Sequence, residues 1–311
     1  MPDFDRVTKQ VFALYAKNDY ENGLRVSIQA DRTFPRRRNR TRYWVACFYS
    51  LLGRSEAAIS TLQDAVGRGY YWSKDTLLEE PDLKPLHGDA RFEEIIGRSE
   101  ELRKRAQRYV KPALKVLAPR IAKGKQYPLM VTLHGRNGNM AEHAKRWTPL
   151  RSLGFVLAVP QSSQLFQRGG YCWDDPARAH KEASVAIKKV MRSYPIDPER
   201  VLIGGTSQGG ALAVKMALEQ EPVKIKGFVV NVPAFRDVES LIKLIPSVRR
   251  GLRGYIFTGE NDPGRERIER LYHEMDAENL PCRLVVQPKL GHDYPGRFGQ
   301  KLVSAAKFVL S

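Results

Sequence analysis

The stretch Val201-Leu-Ile-Gly-Gly-Thr-Ser-Gln-Gly-Gly210 constrains the fold more than any other part of the chain. Three apolar residues read as a buried strand and a G-x-S-x-G turn follows. Ala211, Leu212, Ala213, Val214, Met216, Ala217 and Leu218 then supply an apolar helix with no loop between. A chain that turns this tightly from strand to helix needs small residues two places before and after its apex, Ser207. Gly205 and Gly209 stand there.

That setting is a nucleophile elbow, in which a serine is held exposed at the end of a strand. A serine hydroxyl attacks weakly until an imidazole takes its proton, and a carboxylate then holds the ring in one tautomer and stabilises the imidazolium. On this architecture the order along the chain is serine, acid, histidine. After the elbow, an apolar strand at Tyr255-Ile-Phe-Thr258 leads into Gly259-Glu-Asn-Asp262. Another at Leu284-Val-Val286 leads into Leu290-Gly-His-Asp-Tyr-Pro295, before a last helix from Phe298 to Leu310. Asp262 is the expected acid, with Glu260 and Asp293 as rivals, and a plain surface turn is the alternative reading of Asn-Asp-Pro-Gly. His292 is the expected base, because His87, His134, His143, His180 and His273 do not follow the acid on a strand-to-helix loop.

The tetrahedral intermediate of such chemistry carries an oxyanion that needs preformed donors. The backbone N–H of Gln208, at the start of the helix, supplies one. The second is expected on the loop after an earlier strand, Leu129-Met-Val-Thr-Leu133, where His134-Gly-Arg-Asn-Gly138 places the N–H of Arg136. A strand-ending turn is the alternative there.

These residues carry a family resemblance. From about Val110 to the C-terminus, roughly two thirds of the chain, the sequence resembles the α/β-hydrolase superfamily, and within it the phospholipase/carboxylesterase group of serine esterases. The resemblance rests on Leu133 to Gly138, the Trp173-Asp174 pair, Ile196 to Gly210, and the Asp262 and His292 loops. It implies a serine esterase without cofactor or metal, with Arg136 where that family more often has an apolar residue or glycine. It also puts the region of Trp173 near the substrate. Trp173, Phe235 and Tyr294 are the candidates for the pocket wall, with an ordinary buried aromatic as the alternative for Trp173.

The remaining strands read as Leu129 to Leu133, Phe155 to Val159, Val201 to Ile203, Phe228 to Val230, Tyr255 to Phe257 and Arg283 to Val286, separated by helices. Such alternation predicts a mostly parallel sheet covered on both faces. Residues 1–108 show no convincing strands and predict an all-helical domain, with the boundary to the catalytic part, 109–311, near residue 109. A weak repeat of 35 residues aligns Asn18 to Leu24 with Gly53 to Ile59, and Ala30 with Ala65. This is similar to the tetratricopeptide pattern of helix pairs, a generic helical bundle being the alternative. Two units bury little core, so Tyr70 to Ala106 is expected to close the array or dock onto the catalytic part.

Composition narrows the setting. No apolar run approaches the ~18–20 residues of a membrane span, and Met1-Pro-Asp-Phe-Asp-Arg6 lacks the layout of a signal peptide. Cys47, Cys172 and Cys282 are scattered, with no metal or disulfide spacing. A cytoplasmic chain is expected. The net charge is +18, of which residues 1–110 contribute +4 (20 basic, 16 acidic) and residues 111–311 contribute +14 (32 basic, 18 acidic). The basic residues are spread along helices and loops, as at Lys188-Lys189 and Arg249-Arg250, and read as solvated surface rather than a nucleic-acid footprint. An anionic substrate or phospholipid surface suits this field better.

The function expected is hydrolysis of a small carboxylic ester through an acyl-enzyme. A prolyl-oligopeptidase-like peptidase and a thioesterase use the same three residues and stay open. A different class also stays open, a helical-repeat adaptor that binds a protein or peptide and keeps an inactive hydrolase scaffold.

Overall fold

The structure, a computed structural model, describes residues 4–248 and 251–311, so that Arg249 and Arg250 lie outside the described residues. Contacts divide the chain into two units, residues 1–110 with 165–168, and residues 111–164 with 169–311.

The first unit is helical: α1 (Phe4–Ala16), α2 (Tyr20–Thr33), α3 (Arg38–Leu51), α4 (Ser55–Gly67), α5 (Lys74–Leu78) and α6 (Ala90–Gln107). α1 packs on α2, α2 on α3 and α3 on α4, and α6 packs on α4. Two turns 35 residues apart share backbone features. Asn18 and Gly53 both turn with positive φ, at 57° and 70°. One residue further on, Asp19 N–H donates to Leu14 O at 3.0 Å and Arg54 N–H to Tyr49 O at 2.8 Å. The small residues Gly23 and Ala58 occupy equivalent positions, and Gly23 lies under the ring of Phe48. Tyr70 to Ala106 closes this unit, with Trp72, Leu77, Leu83, Leu86, Phe92, Ile95 and Ile96 joining Ile59 and Leu62 in one core. Residues 165–168 come to this unit from far along the chain: Arg103 Nη1 donates to Leu165 O at 2.8 Å and Leu165 N–H to Gln107 Oε1 at 2.7 Å.

The second unit contains β1 (Ala113–Leu117), β2 (Tyr127–Leu133), α7 (Met140–Trp147) and β3 (Val156–Gln161). After the short strands β4 (Gln164–Gln167, mostly in the first unit) and β5 (Gly170–Cys172) come α8 (Pro176–Ser193), β6 (Ile196–Thr206), α9 (Gln208–Glu219), β7 (Gly227–Asn231) and α10 (Val238–Ile242). The chain ends with β8 (Arg253–Gly259), α11 (Arg265–Ala277), β9 (Cys282–Gln287) and α12 (Phe298–Leu310). The main sheet has the order β1-β3-β2-β6-β7-β8-β9, parallel throughout except for β1, which pairs antiparallel with β3.

All of β2 is buried, as a strand covered on both faces must be. Its side chains alternate. Leu129, Val131 and Leu133 join Ala183 and Ile187 of α8 and Ala213 and Ala217 of α9 in one core. Met130 joins Trp147 of α7 and Phe298, Leu302 and Val309 of α12 in the other. This sandwich holds the C-terminal ends of β2, β6, β7, β8 and β9 along one edge, the usual place for a site in an open parallel sheet.

Candidate active site

Ser207 lies between β6 and α9, with φ 54° and ψ −121°, a conformation in which a residue with a side chain is strained. The neighbouring elements hold it there. Ser207 N–H donates to Asn231 O at the end of β7, and Ala234 N–H donates to Ser207 O, both at 3.0 Å. The two glycines of the elbow are steric necessities. A Cβ on Gly205 would lie 2.6 Å from Gly209 C and O, and one on Gly209 would lie 2.3 Å from His134 O.

Three loops bring the expected trio together. His292 Nε2 is 2.8 Å from Ser207 Oγ, and His292 Nδ1 is 3.1 Å from Asp262 Oδ2. The Asp262 side chain is fully buried, whereas that of His292 is 36% exposed, so the ring faces the cleft and the carboxylate stands behind it. Gly264 N–H (2.7 Å) and Thr258 Oγ1 (3.3 Å) also donate to Asp262. Asn261 N–H donates to Leu290 O at 2.8 Å and ties the two loops together. The rival acids are engaged elsewhere: Glu260 accepts from Lys289 N–H and Asp293 from Tyr294 N–H.

The cleft beside Ser207 has a volume of about 210 Å³ and is lined by Arg136, Gln208, Phe235, Arg236 and Arg267 together with Ser207, Asp262 and His292. A larger hollow of about 1000 Å³ lies on the helical unit, where none of these groups is present. Gln208 is the first residue of α9, so its N–H is one of the helix's unpaired donors and is open to an oxyanion. Arg136 follows Gly135 in a turn closed by Gly138 N–H to Gly135 O at 2.9 Å.

Two of the pocket-wall expectations are corrected. Phe235 lines the cleft, but Trp173 and Tyr294 do not. Trp173 is buried and acts as a brace: its Nε1–H donates to His134 O at 2.9 Å and its N–H to Gln208 Oε1 at 2.8 Å. Its ring stacks on His134 at 4.9 Å. The Trp173 indole needs a partner for its N–H once buried, and the carbonyl before the Gly135 turn provides it. The Tyr294 hydroxyl is paired with Thr206 Oγ1 at 2.7 Å and its ring packs on Phe298.

The sequence offered Asp174 only as part of the Trp173-Asp174 pair and assigned no role to its side chain, which links these loops. Asp174 accepts from Gln208 Nε2 at 2.7 Å and lies 3.4 Å from Arg136 Nε and 3.6 Å from Arg236 Nη2. Burial pushes the Asp174 carboxyl up, but hydrogen bonds from Gln208 and Cys172 and the Arg136 guanidinium outweigh it and hold the group below its ordinary value. Arg236 and Arg267 were also passed over. Both follow the C-terminal ends of parallel strands, the one position-based signal that points to them.

The fold is that of an α/β-hydrolase, with a helical region before it. Residues 5–107 match the family model described as A/B hydrolase-like, N-terminal domain. Residues 177–274, which include Ser207 and Asp262, match the acetyl xylan esterase family model. No curated protein matches the chain. Among solved structures, an uncharacterized protein from Bacillus cereus is similar over 99% of both chains, with 22% identity and a TM-score of 0.57. Esterase PE8 is similar over 64% of this chain and 100% of its own, with 15% identity and a TM-score of 0.55. S-formylglutathione hydrolase from Staphylococcus aureus covers 64% of this chain and 90% of its own, with 15% identity and a TM-score of 0.51. At these identities the likeness is one of fold.

Proposed function

We propose that the chain hydrolyses carboxylic esters by acyl transfer, with Ser207 as nucleophile, His292 as general base and acid, and Asp262 orienting His292. The observation that carries this reading is the hydrogen-bonded series from Ser207 Oγ through both ring nitrogens of His292 to Asp262. The match of residues 177–274 to an esterase family supports the choice of ester over peptide.

Ser207 Oγ bonds to the ester carbonyl carbon as its proton passes to His292 Nε2. The oxyanion formed is met by the N–H groups of Gln208 and Arg136. The bond from carbon to the alcohol oxygen then breaks and that oxygen takes the proton from His292. Water, deprotonated by His292, repeats the sequence and frees the acid and Ser207. A cleft of 210 Å³ is smaller than the ~300–1,000 Å³ of most ligand pockets, which favours a short acyl group over a lysophospholipid chain.

The helical unit is read as a tetratricopeptide-like pairing of helices, on the equivalence of Asn18 with Gly53 and Gly23 with Ala58, and a protein or peptide is its proposed ligand. Among the described residues no helix is long and apolar enough to cross a membrane. The proposed setting is the reducing cytoplasm, in keeping with Cys47, Cys172 and Cys282 as free thiols.

The test is labelling by a fluorophosphonate probe and turnover of p-nitrophenyl acetate and longer homologues, with Ser207→Ala alongside. Labelling is expected in the wild type and lost in the variant, with kcat reduced by as much as ~10⁶-fold. Turnover is expected to fall as the acyl chain lengthens. Folded wild-type protein that neither reacts with the probe nor cleaves any ester, peptide amide or thioester would sink the reading and leave the adaptor role.

A further inference from the structure

The Ser207 cleft is more positive than the cleavage of a neutral ester requires. Its walls carry three guanidinium groups, of Arg136, Arg236 and Arg267, and one carboxylate, Asp262. Asp262 is fully buried and committed to His292, Thr258 and Gly264. Asp174, outside the lining, is shared between Arg136 at 3.4 Å and Arg236 at 3.6 Å, and the Arg236 side chain remains 75% exposed.

Arg267 is the uncompensated group. Its neighbours on α11 are paired, Arg265 with Glu269 at 2.7 Å and Arg270 with Glu239 at 2.9 Å. Arg267 makes no ion pair or side-chain hydrogen bond among the described residues. It also stands in the first turn of α11, where the helix dipole disfavours a cation. A guanidinium set against a helix dipole, beside two others and without a carboxylate of its own, is stabilised most by a ligand that brings the negative charge.

We propose that the cleft takes an ester bearing an anionic group of the carboxylate or phosphate kind, and that Arg267 with Arg236 binds this group while Ser207 attacks the ester carbonyl. The planar fork of a guanidinium pairs with either oxyanion through two parallel hydrogen bonds. The inference deepens the ester-cleaving reading and rests on it for its chemistry. Arg267 and Arg236 are specificity residues, and acyl transfer itself belongs to the Ser207 series.

The experiment compares kcat/KM for matched charged and neutral esters. One pair is 4-acetoxybenzoate and its methyl ester, which puts the charge on the alcohol side. The other is the mono-4-nitrophenyl ester of terephthalic acid and its methyl ester, which puts it on the acyl side. Each is measured with wild type, Arg267→Ala, Arg267→Lys and Arg236→Ala. The wild type is expected to favour the charged member of one pair by about tenfold, the lower end of what hydrogen bonds to a charged group contribute. That ratio falls toward one in Arg267→Ala, falls in part in Arg236→Ala, and is partly restored by Arg267→Lys. A ratio is unaffected by loss of folded protein, so a poorly folding variant does not mimic the result.

Binding is measured separately by calorimetry, using the corresponding carboxamides and Ser207→Ala. Turnover with no charge preference, or a preference that Arg267→Ala leaves intact, overturns the anion site and leaves ester cleavage standing. Absence of turnover with charged carboxamides bound preferentially, and that preference lost when Arg267→Ala is added, overturns ester cleavage and upholds the anion site. Absence of both overturns both.

Discussion

His134 shows how a single buried ring ties the site to stability. Burial lowers its pKa from 6.5 to about 4, so the ring stays neutral in the folded chain where an unfolded chain has already taken up a proton. Between those values the unfolded state holds more protons. Stability is therefore complete above about pH 6.5 and declines as pH falls toward 4, by about 1.4 kcal/mol per pH unit within the window. His143, buried and hydrogen-bonded to Thr132, is held well below its ordinary value and acts in the same direction. Urea unfolding followed from about pH 7 to pH 5 should show this slope, and His134→Gln should make it shallower. An unchanged slope would mean that the ring is protonated in the folded chain.

At this scale Ser207 was legible because its setting is local: strand, turn and helix are consecutive residues. Asp262 was the expected acid, but Glu260 and Asp293 stood as rivals. What separates it from Glu260 and Asp293 is the approach of the Leu290 carbonyl to Asn261, a contact between loops that no local pattern encodes.

Among the elements, the elbow is where local pattern and packing meet. Gly209 lies against the backbone of the neighbouring strand, with His134 O and Leu133 O at 2.3 and 2.4 Å from where its Cβ would stand. Those are backbone atoms of the β2 end, and they cannot yield without disturbing the pairing of β2 with β6. Gly209→Ala is expected to lower stability by about 3 kcal/mol, the upper end for overpacking, and to reduce activity beyond that by moving the Arg136 turn. Urea midpoints and kcat on one short ester check both effects, and a fully stable, fully active variant would show that the elbow relaxes freely.

The sheet strands were legible because a parallel sheet buried on both faces demands unbroken apolar runs, as in β2. Their ends were less so. β6 begins at Ile196, five residues before the apolar triplet, because Ile196 pairs with Tyr127. Trp173 and Tyr294, two of the pocket-wall candidates, lie outside the lining of the cleft for a related reason. An aromatic near a site in sequence is as useful bracing a loop as lining a pocket, and only their partners, His134 O and Thr206, reveal which.

For the whole molecule, charge is the property that acts at a distance. With a net charge of +18, most of it in residues 111–311, the chain surrounds a cationic cleft with a field that draws anions. That field weakens as the Debye length shortens from ~30 Å at 0.01 M salt to ~10 Å at 0.1 M. kcat/KM for the charged ester is expected to fall severalfold over that range while the neutral partner changes little. Parallel behaviour of the two esters would show that the surface charge serves something other than substrate capture. The absence of apolar strands before residue 109 led to an expected boundary there, and contacts divide the chain after residue 110. The attachment of residues 165–168 to the helical unit did not follow from that absence, because it depends on Arg103 and Gln107 meeting a segment some sixty residues away.

The sequence by itself determined the class of fold and marked Ser207 as the proposed nucleophile, since both are written in consecutive residues whose sterics and burial pattern favour one arrangement. It also determined the order serine, acid, histidine. The approach of Asp262 to His292, the bracing role of Trp173 and the three-arginine wall of the cleft were decided by tertiary structure alone. Each depends on loops that leave different strands and meet only at the sheet edge, where distance in space is unrelated to distance along the chain.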